Sequence, residues 1–214
     1  MQLEETAVNK SDIKKAIIRS QHCQRNWDLS KSIPDEDIEM IKTAVTNCPS
    51  KQNVAYYKVI FVTDRDKIER IYETTNGFIT NFRSNDTVTN SQVLANLLVV
   101  FAESDVEPKE NIFGDVFVPS KDLEKPEDLL KDKHMAVGIG AGYANITASM
   151  LGYSTGCCAC FDPAQVAEIL DIDTHVHLLM GIGFKDETRP RREHHAEDFV
   201  FPTKKKQQIS VEQK

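Results

Sequence analysis

Nowhere does the sequence approach the roughly 18 consecutive apolar residues that a membrane-spanning helix needs. Its opening decapeptide, MQLEETAVNK, has neither the basic flank nor the apolar centre of a signal peptide. The expected location is therefore cytoplasmic, with no membrane partner. An excess of positive charge is also missing. The chain carries 26 Lys and Arg against 33 Asp and Glu, a net charge of −7, whereas general binding to nucleic acid needs clustered cations that displace counterions. The basic run TKKK, 203–206, reads as part of a solvated tail over about 203–214. Cysteine is present but lacks regular spacing. The five (Cys23, Cys48, Cys157, Cys158, Cys160) are an odd number, which argues against a secreted disulfide framework. No phosphate-loop Gly-Lys-Ser/Thr occurs, and Gly138-x-Gly140-x-Gly142 lies inside a helical pattern rather than at a strand-to-helix turn. Those glycines read as helix-packing positions.

What is present is an alternation of helical and strand patterns without internal repeats. SDIKKAIIRSQH predicts a helix over about 12–22, with Ser11 as N-cap and Ile13, Ala16 and Ile17 on one face. SIPDEDIEMIKTAVTNCPS predicts a second, with Pro34 at its first position, acidic residues in its first turn and Ile38, Ile41 and Val45 inward. YYKVIFVT (56–63) is β-branched and aromatic, as a strand should be, and DRDKIERIYETTNG predicts a short helix closed by Gly77. LANLLVVFAES reads as a buried strand. The stretch of about 104–134, with Pro108, Gly114, Pro119 and Pro126, reads as a lid-like insertion. A long helix follows over DKHMAVGIGAGYANITASMLGY, placed either in the core or in a subunit interface. A strand through the cysteine cluster, the helix DPAQVAEILDI and the strand HVHLLMGIGF (175–184) complete the chain. The expected fold is one α+β domain over 1–214 with a mixed central sheet flanked by helices.

Cys157-x-x-Cys160 raises three readings: a redox dithiol, half of a metal site, or buried structural cysteine. It lacks the second pair of a zinc ribbon and lies within a strand pattern rather than at a helix N-terminus, which would lower a thiol pKa. His175 and His177 share a strand face and His194 and His195 are adjacent, yet no carboxylate or cysteine stands at a convincing ligand spacing, so no metal is expected.

Three further stretches gain meaning together. QHCQRNWD (21–28), CPSKQN (48–53) and LGYSTGCCACFDP (151–163) resemble, in order, three motifs of the nitroreductase family of flavin enzymes. They are Arg-Arg-Ser-x-Arg-x-Phe-Asp after the first helix, Ala-Pro-Ser-x-x-Asn before a strand, and the Leu-Gly to Gly-Phe-Asp segment after the long helix. RPRRE (189–193) stands at the family's closing basic cluster. The resemblance spans about 12–193 and implies an intertwined homodimer that holds FMN at the subunit interface. It further implies that NADH or NADPH reduces the flavin and a small-molecule acceptor, such as a nitroaromatic or quinone, reoxidises it.

By the same resemblance, Gln21, His22, Cys23 and Arg25 contact the phosphate, ribityl chain and pyrimidine edge. Pro49, Ser50, Lys51 and Asn53 come from the neighbouring subunit. Asn90 or Gln92 offers an amide to the pyrimidine, Cys158, Ala159 and Cys160 face the N5 edge, and Arg191 and Arg192 hold the phosphate. No protein acid, base or nucleophile is implied, because hydride transfer to flavin needs orientation and electrostatics. The departures are Gln21 in place of an arginine, Cys23 in place of a serine, and Ala55-Tyr56-Tyr57 where the family continues Gln-Pro-Trp. Two alternatives stand beside this one: a flavin-binding protein of the same fold without efficient turnover, and a Cys-x-x-Cys dithiol or metal-binding module.

Overall fold

Helix α1 (Lys10–Ser20) begins two residues earlier than its serine suggests, because the Asn9 side chain accepts from the Ser11 N–H. The computed structural model describes residues 9–81, 86–104, 109–110, 114, 116–117, 126–202 and 206–213. In α1 only Ala16 is buried, while Ile17 is exposed, so the helix turns a narrower face inward than its apolar spacing predicts. Pro34 is the N-cap of α2 (Asp35–Thr46) rather than its first residue, and Ile41 and Val45 are buried. After β1 (Tyr57–Val62), helix α3 (Arg65–Glu73) is capped by the Asp64 side chain and ends at Thr74. Gly77 does not close it. Its N–H instead bonds Val88 O at 2.6 Å, where β2 (Phe78–Asn81) pairs antiparallel with β3 (Asp86–Val88).

β4 (Leu97–Glu103) is the spine of the sheet. Leu97, Val99 and Phe101 enter one core while Leu98, Val100 and Ala102 enter the other, the period-2 alternation of a strand covered on both faces. The lid-like stretch lies mostly outside the described residues. Within it, β5 (Lys109–Glu110) pairs with β6 (Val116–Phe117), and residues 126–134 are helical, because α4 (Pro126–Met150) starts at Pro126, ahead of its predicted start. The conformation at Gly152 (φ +100°) then turns the chain into β7 (Ser154–Cys158). Helix α5 (Pro163–Leu170), capped by Asp162, leads to β8 (Val176–Gly183).

The strand order is β1-β4-β8-β7, and all three pairings are antiparallel. The expected mixed sheet is therefore corrected for the described strands. Among the described residues, parallel pairing enters only as the isolated bridge Cys23–Thr155 at the β7 edge. Helices cover both faces. The core with Trp27, Ile68, Ile71, Val166 and Leu179 lies under α3 and α5, and the core with Ile41, Val45, Val137, Ala141 and Ala148 lies under α2 and α4. Each fully buried Leu, Ile or Phe in them contributes about 1.5–3 kcal/mol.

Two glycines let other segments lie directly on the sheet. A Cβ at Gly156 would stand 2.7 Å from Gln24 O and 3.0 Å from Gln92 Cβ, and one at Gly181 would stand 2.9 Å from Ala95 Cβ. On α4 the close approach occurs at Gly140, where a Cβ would enter the Tyr57 ring. Gly138 and Gly142 meet nothing within 4 Å. Ala136, Ala144 and Ala148 of this helix are buried, whereas Met135, Ile139, Tyr143 and Met150 are exposed. One face of α4 is core and the other is apolar yet uncovered. Among the described residues no helix is long and apolar enough to cross a membrane.

Candidate flavin site at the β7 edge

The site is built where three segments meet the end of β7. The first is the chain leaving α1. The bridge Cys23–Thr155 and the bond from Gln24 N–H to Thr155 O (2.8 Å) lay residues 23–28 along the strand edge. Gln24 Oε1 accepts from the N–H groups of Arg25 (2.8 Å) and Asn26 (3.1 Å), forming a tight turn that carries Arg25. Asn26 Nδ2 donates to Pro190 O and Glu193 O, and Trp27 Nε1 donates to Ser91 O at 2.9 Å. Gln24, Asn26 and Trp27 are buried and anchor the segment through these bonds.

The second segment is the 3-10 turn Ser91–Val93, whose N-cap is Asn90. Asn90 Nδ2 faces Gln92 Oε1 (2.7 Å), Cys158 Sγ (3.2 Å) and Cys160 Sγ (3.3 Å). With Gln92 Oε1 engaged, its amide N–H₂ is the donor left over. The third segment is the C-terminal stretch. Arg191 donates to Cys23 O at 3.4 Å, whereas Arg192 Nε donates to Phe201 O at 2.8 Å. Phe201 in turn lies 4.2 Å beneath the Arg25 guanidinium. Lys206 Nζ reaches Gln21 Oε1 at 3.1 Å, so part of the expected tail returns to the site; residues 203–205 lie outside the described residues.

Of the predicted residues, Cys23, Arg25, Asn90, Gln92, Cys158, Cys160 and Arg191 are brought together. Ala159 is exposed between the two cysteines, Gln21 and His22 are exposed at the end of α1, and Arg192 serves the Phe201 backbone. Pro49, Ser50, Lys51 and Asn53 belong to another region. Lys51 pairs with Asp132 of α4 at 2.6 Å, and Ser50 and Asn53 line a cleft of ≈ 500 Å³ with Val45, Cys48 and Tyr57. Gln52 and Asn53 both adopt positive φ there.

The cysteine geometry corrects the Cys-x-x-Cys reading. Successive strand residues face opposite sides, so Cys157 packs on the α2/α4 core while Cys158 and Cys160 face the α3/α5 side. The close pair is Cys158–Cys160, with Sγ atoms 3.4 Å apart. The hydrogen bond between the two thiols lowers the Cys160 pKa against burial, with help from Asn90 and Arg25. The same bond, then burial, raises Cys158, and burial pushes Cys157 up to about 12. Among the described residues no group of three or more His, Cys, Asp or Glu could hold a metal.

Electrostatically the site has unanswered positive charge. Arg25 is partly buried, and its Nε is buried without a hydrogen-bond partner among the described residues. Burial, against the pull of Cys23, and then the charge of Arg191 lower the Arg25 pKa from its ordinary value. Arginine nonetheless stays charged at any ordinary pH, so an anion seated between Arg25 and Arg191 would relieve both penalties.

Residues 18–184 match the sequence profile of the nitroreductase family. The chain belongs to the nitroreductase family. No curated protein matches it. Solved structures with the same fold include a nitroreductase family protein from Clostridium novyi, at 18% identity and TM-score 0.59, covering 85% of this chain and 88% of the other. A candidate NAD(P)H:FMN oxidoreductase from Staphylococcus epidermidis aligns at 17% identity and TM-score 0.64 over 95% of both chains. An FMN-dependent nitroreductase from Clostridium difficile aligns at 16% identity and TM-score 0.54, covering 83% and 90%. The α+β architecture of sheet and flanking helices is thus that of the nitroreductase fold.

Proposed function

We propose that this nitroreductase-family chain is an FMN-dependent oxidoreductase, a cytoplasmic homodimer of single-domain subunits that takes electrons from NADH or NADPH and delivers them to a small acceptor. The observation that carries the reading is Arg25, a partly buried guanidinium with an unpartnered Nε beside Arg191. The names of two structural neighbours, one FMN-dependent and one a candidate NAD(P)H:FMN oxidoreductase, agree with it.

FMN, when bound, supplies a ring nitrogen that accepts hydride from nicotinamide and passes the electrons to a second substrate at the same face. The chain's own residues then bind and orient. Arg25 and Arg191 answer negative charge with fixed guanidinium groups. Gln92 gives its remaining amide N–H₂ to the pyrimidine edge, while Asn90 locks the turn that carries it. The main-chain N–H groups around Ala159 and Cys160 serve the hydride-accepting edge. Pro49 to Asn53 complete the site from the partner subunit, which the exposed apolar face of α4 (Met135, Ile139, Tyr143, Met150) is suited to dock.

The visible spectrum tests this directly. The purified protein, or the protein after FMN is added and excess removed, should be yellow and should bleach anaerobically with NADH or NADPH. Yellow protein that no nicotinamide bleaches would favour flavin binding without turnover, and failure to retain FMN would refute the reading.

A further inference from the structure

We infer that Cys158 and Cys160 form a redox-active dithiol that closes to an intrachain disulfide by exchange with a low-molecular-weight disulfide. This rests on the thiol geometry rather than on the flavin reading, under which bound FMN would lie against this same Ala159–Cys160 segment. Three observations carry it. The two sulfurs face each other at 3.4 Å, and the intervening Ala159 is exposed, outside the last paired residue of β7. Asn90 Nδ2 stands within 3.3 Å of both sulfurs, an N–H donor that stabilises negative charge on either. Their exposure is unequal: Cys158 is buried at 1% and Cys160 is partly accessible, which fixes the order of attack.

Cys160 is the nucleophile. Its thiol, lowered by the hydrogen bond with Cys158, by Asn90 and by Arg25, gives up its proton more readily than an ordinary thiol, and the thiolate is the attacking species. The Cys160 sulfur attacks one sulfur of R–S–S–R; a Cys160–S–S–R bond forms and RS⁻ leaves. The Cys158 thiol gives its proton to solvent and attacks the Cys160 sulfur. The second RS⁻ leaves and the Cys158–Cys160 bond forms. Two protein thiols are oxidised, one external disulfide is reduced to two thiols, and two electrons pass. The sulfurs need to close by only about 1.4 Å to reach bonding distance.

The test is incubation of the full-length protein with oxidised glutathione at pH 7, acid quenching, alkylation and peptide mapping by mass spectrometry. The expected wild-type product is a 158–160 peptide lacking two hydrogens, restored by dithiothreitol. Cys157→Ala should behave the same. Cys158→Ser should instead accumulate a glutathione adduct on Cys160, and Cys160→Ser should leave Cys158 modified roughly tenfold more slowly, the scale of lost thiolate and access. A persistent wild-type adduct on Cys160, an unreacted wild-type pair, or loss of the disulfide in Cys157→Ala would overturn the inference. The wild-type result decides even if a serine variant misfolds.

Discussion

Gly156→Ala probes the clamp that holds two site segments on the sheet. The new Cβ would lie 2.7 Å from Gln24 O and 3.0 and 3.2 Å from Gln92 Cβ and Cγ. Unstrained carbon contacts begin near 3.5 Å, so one or both segments must retreat by roughly 0.5–0.8 Å. Gln92 is held through Asn90, and Gln24 through its 2.8 Å bond to Thr155 O. Overpacking costs about 1–3 kcal/mol, and weakening a buried backbone hydrogen bond adds about 1 kcal/mol or more. A loss of about 3 kcal/mol corresponds to a fall in Tm of roughly 6–12 °C for a chain of this length. Calorimetry at fixed protein concentration reads it. The single tryptophan, Trp27, supplies a local readout, because its Nε1 donates to Ser91 O on the turn beside Gln92; its emission should shift to the red. A Tm within about 2 °C of wild type, with unchanged Trp27 emission, would show that the glycine is not needed there and that the close approach is relieved at no cost.

Arg191→Ala should weaken FMN binding by about 1.5–3 kcal/mol, the worth of a charge-assisted bond, and leave riboflavin binding nearly unchanged, whereas Arg192→Ala should lower Tm more than FMN affinity because its Nε holds Phe201 O; equal effects of the two on both ligands would contradict this assignment. Ile139→Glu on the exposed face of α4 should convert dimer to monomer in ultracentrifugation and release FMN on dilution, and an unchanged sedimentation coefficient would remove that face from the interface. Stability should fall on mild acidification. Burial lowers the pKa values of His177, His194 and His195 in the folded chain, so the unfolded chain binds more protons and stability rises with pH. This contribution is complete above the unfolded value of about 6.5 and is lost as pH falls through the folded values; a Tm that stays flat between about pH 7.5 and 5 would refute it.

Elements with strong local patterns were legible in the sequence. Leu97–Glu103 reads as a buried strand because both of its faces are apolar, and α2 reads from its acidic first turn and inward Ile41 and Val45. Caps and ends were less so, since they depend on which side chain reaches a free N–H. Asn9 outcompetes Ser11, and the bond from Gly77 to Val88 belongs to a hairpin whose partner strand has no apolar alternation. Strand direction was not legible either, because each long connection permits either sense and the register is decided by packing across the sheet. At the site, residues 21–25 and 157–160 could be marked from motif order, yet which cysteine meets which depended on the alternation of β7. Phe201 beneath Arg25 and Lys206 at Gln21 come from a C-terminal stretch with no regular pattern, so nothing local announces them.

The anchoring of Asn26 has a consequence for how the chain is made. Its amide N–H₂ donates to the carbonyls of Pro190 and Glu193, 164 and 167 residues downstream. At synthesis rates of about 5–20 residues per second, roughly 10–30 s pass between the emergence of Asn26 and that of its partners. Through this interval the Asn26 amide N–H₂ has only water to bond, and β4 waits in the same way for β8. The segment that carries Arg25 is therefore among the last to be fixed on a nascent chain. A ribosome stalled before Pro190 would display α2, β1 and α3 without a formed site, and a pause in translation upstream of that codon would lengthen exposure of the apolar β4.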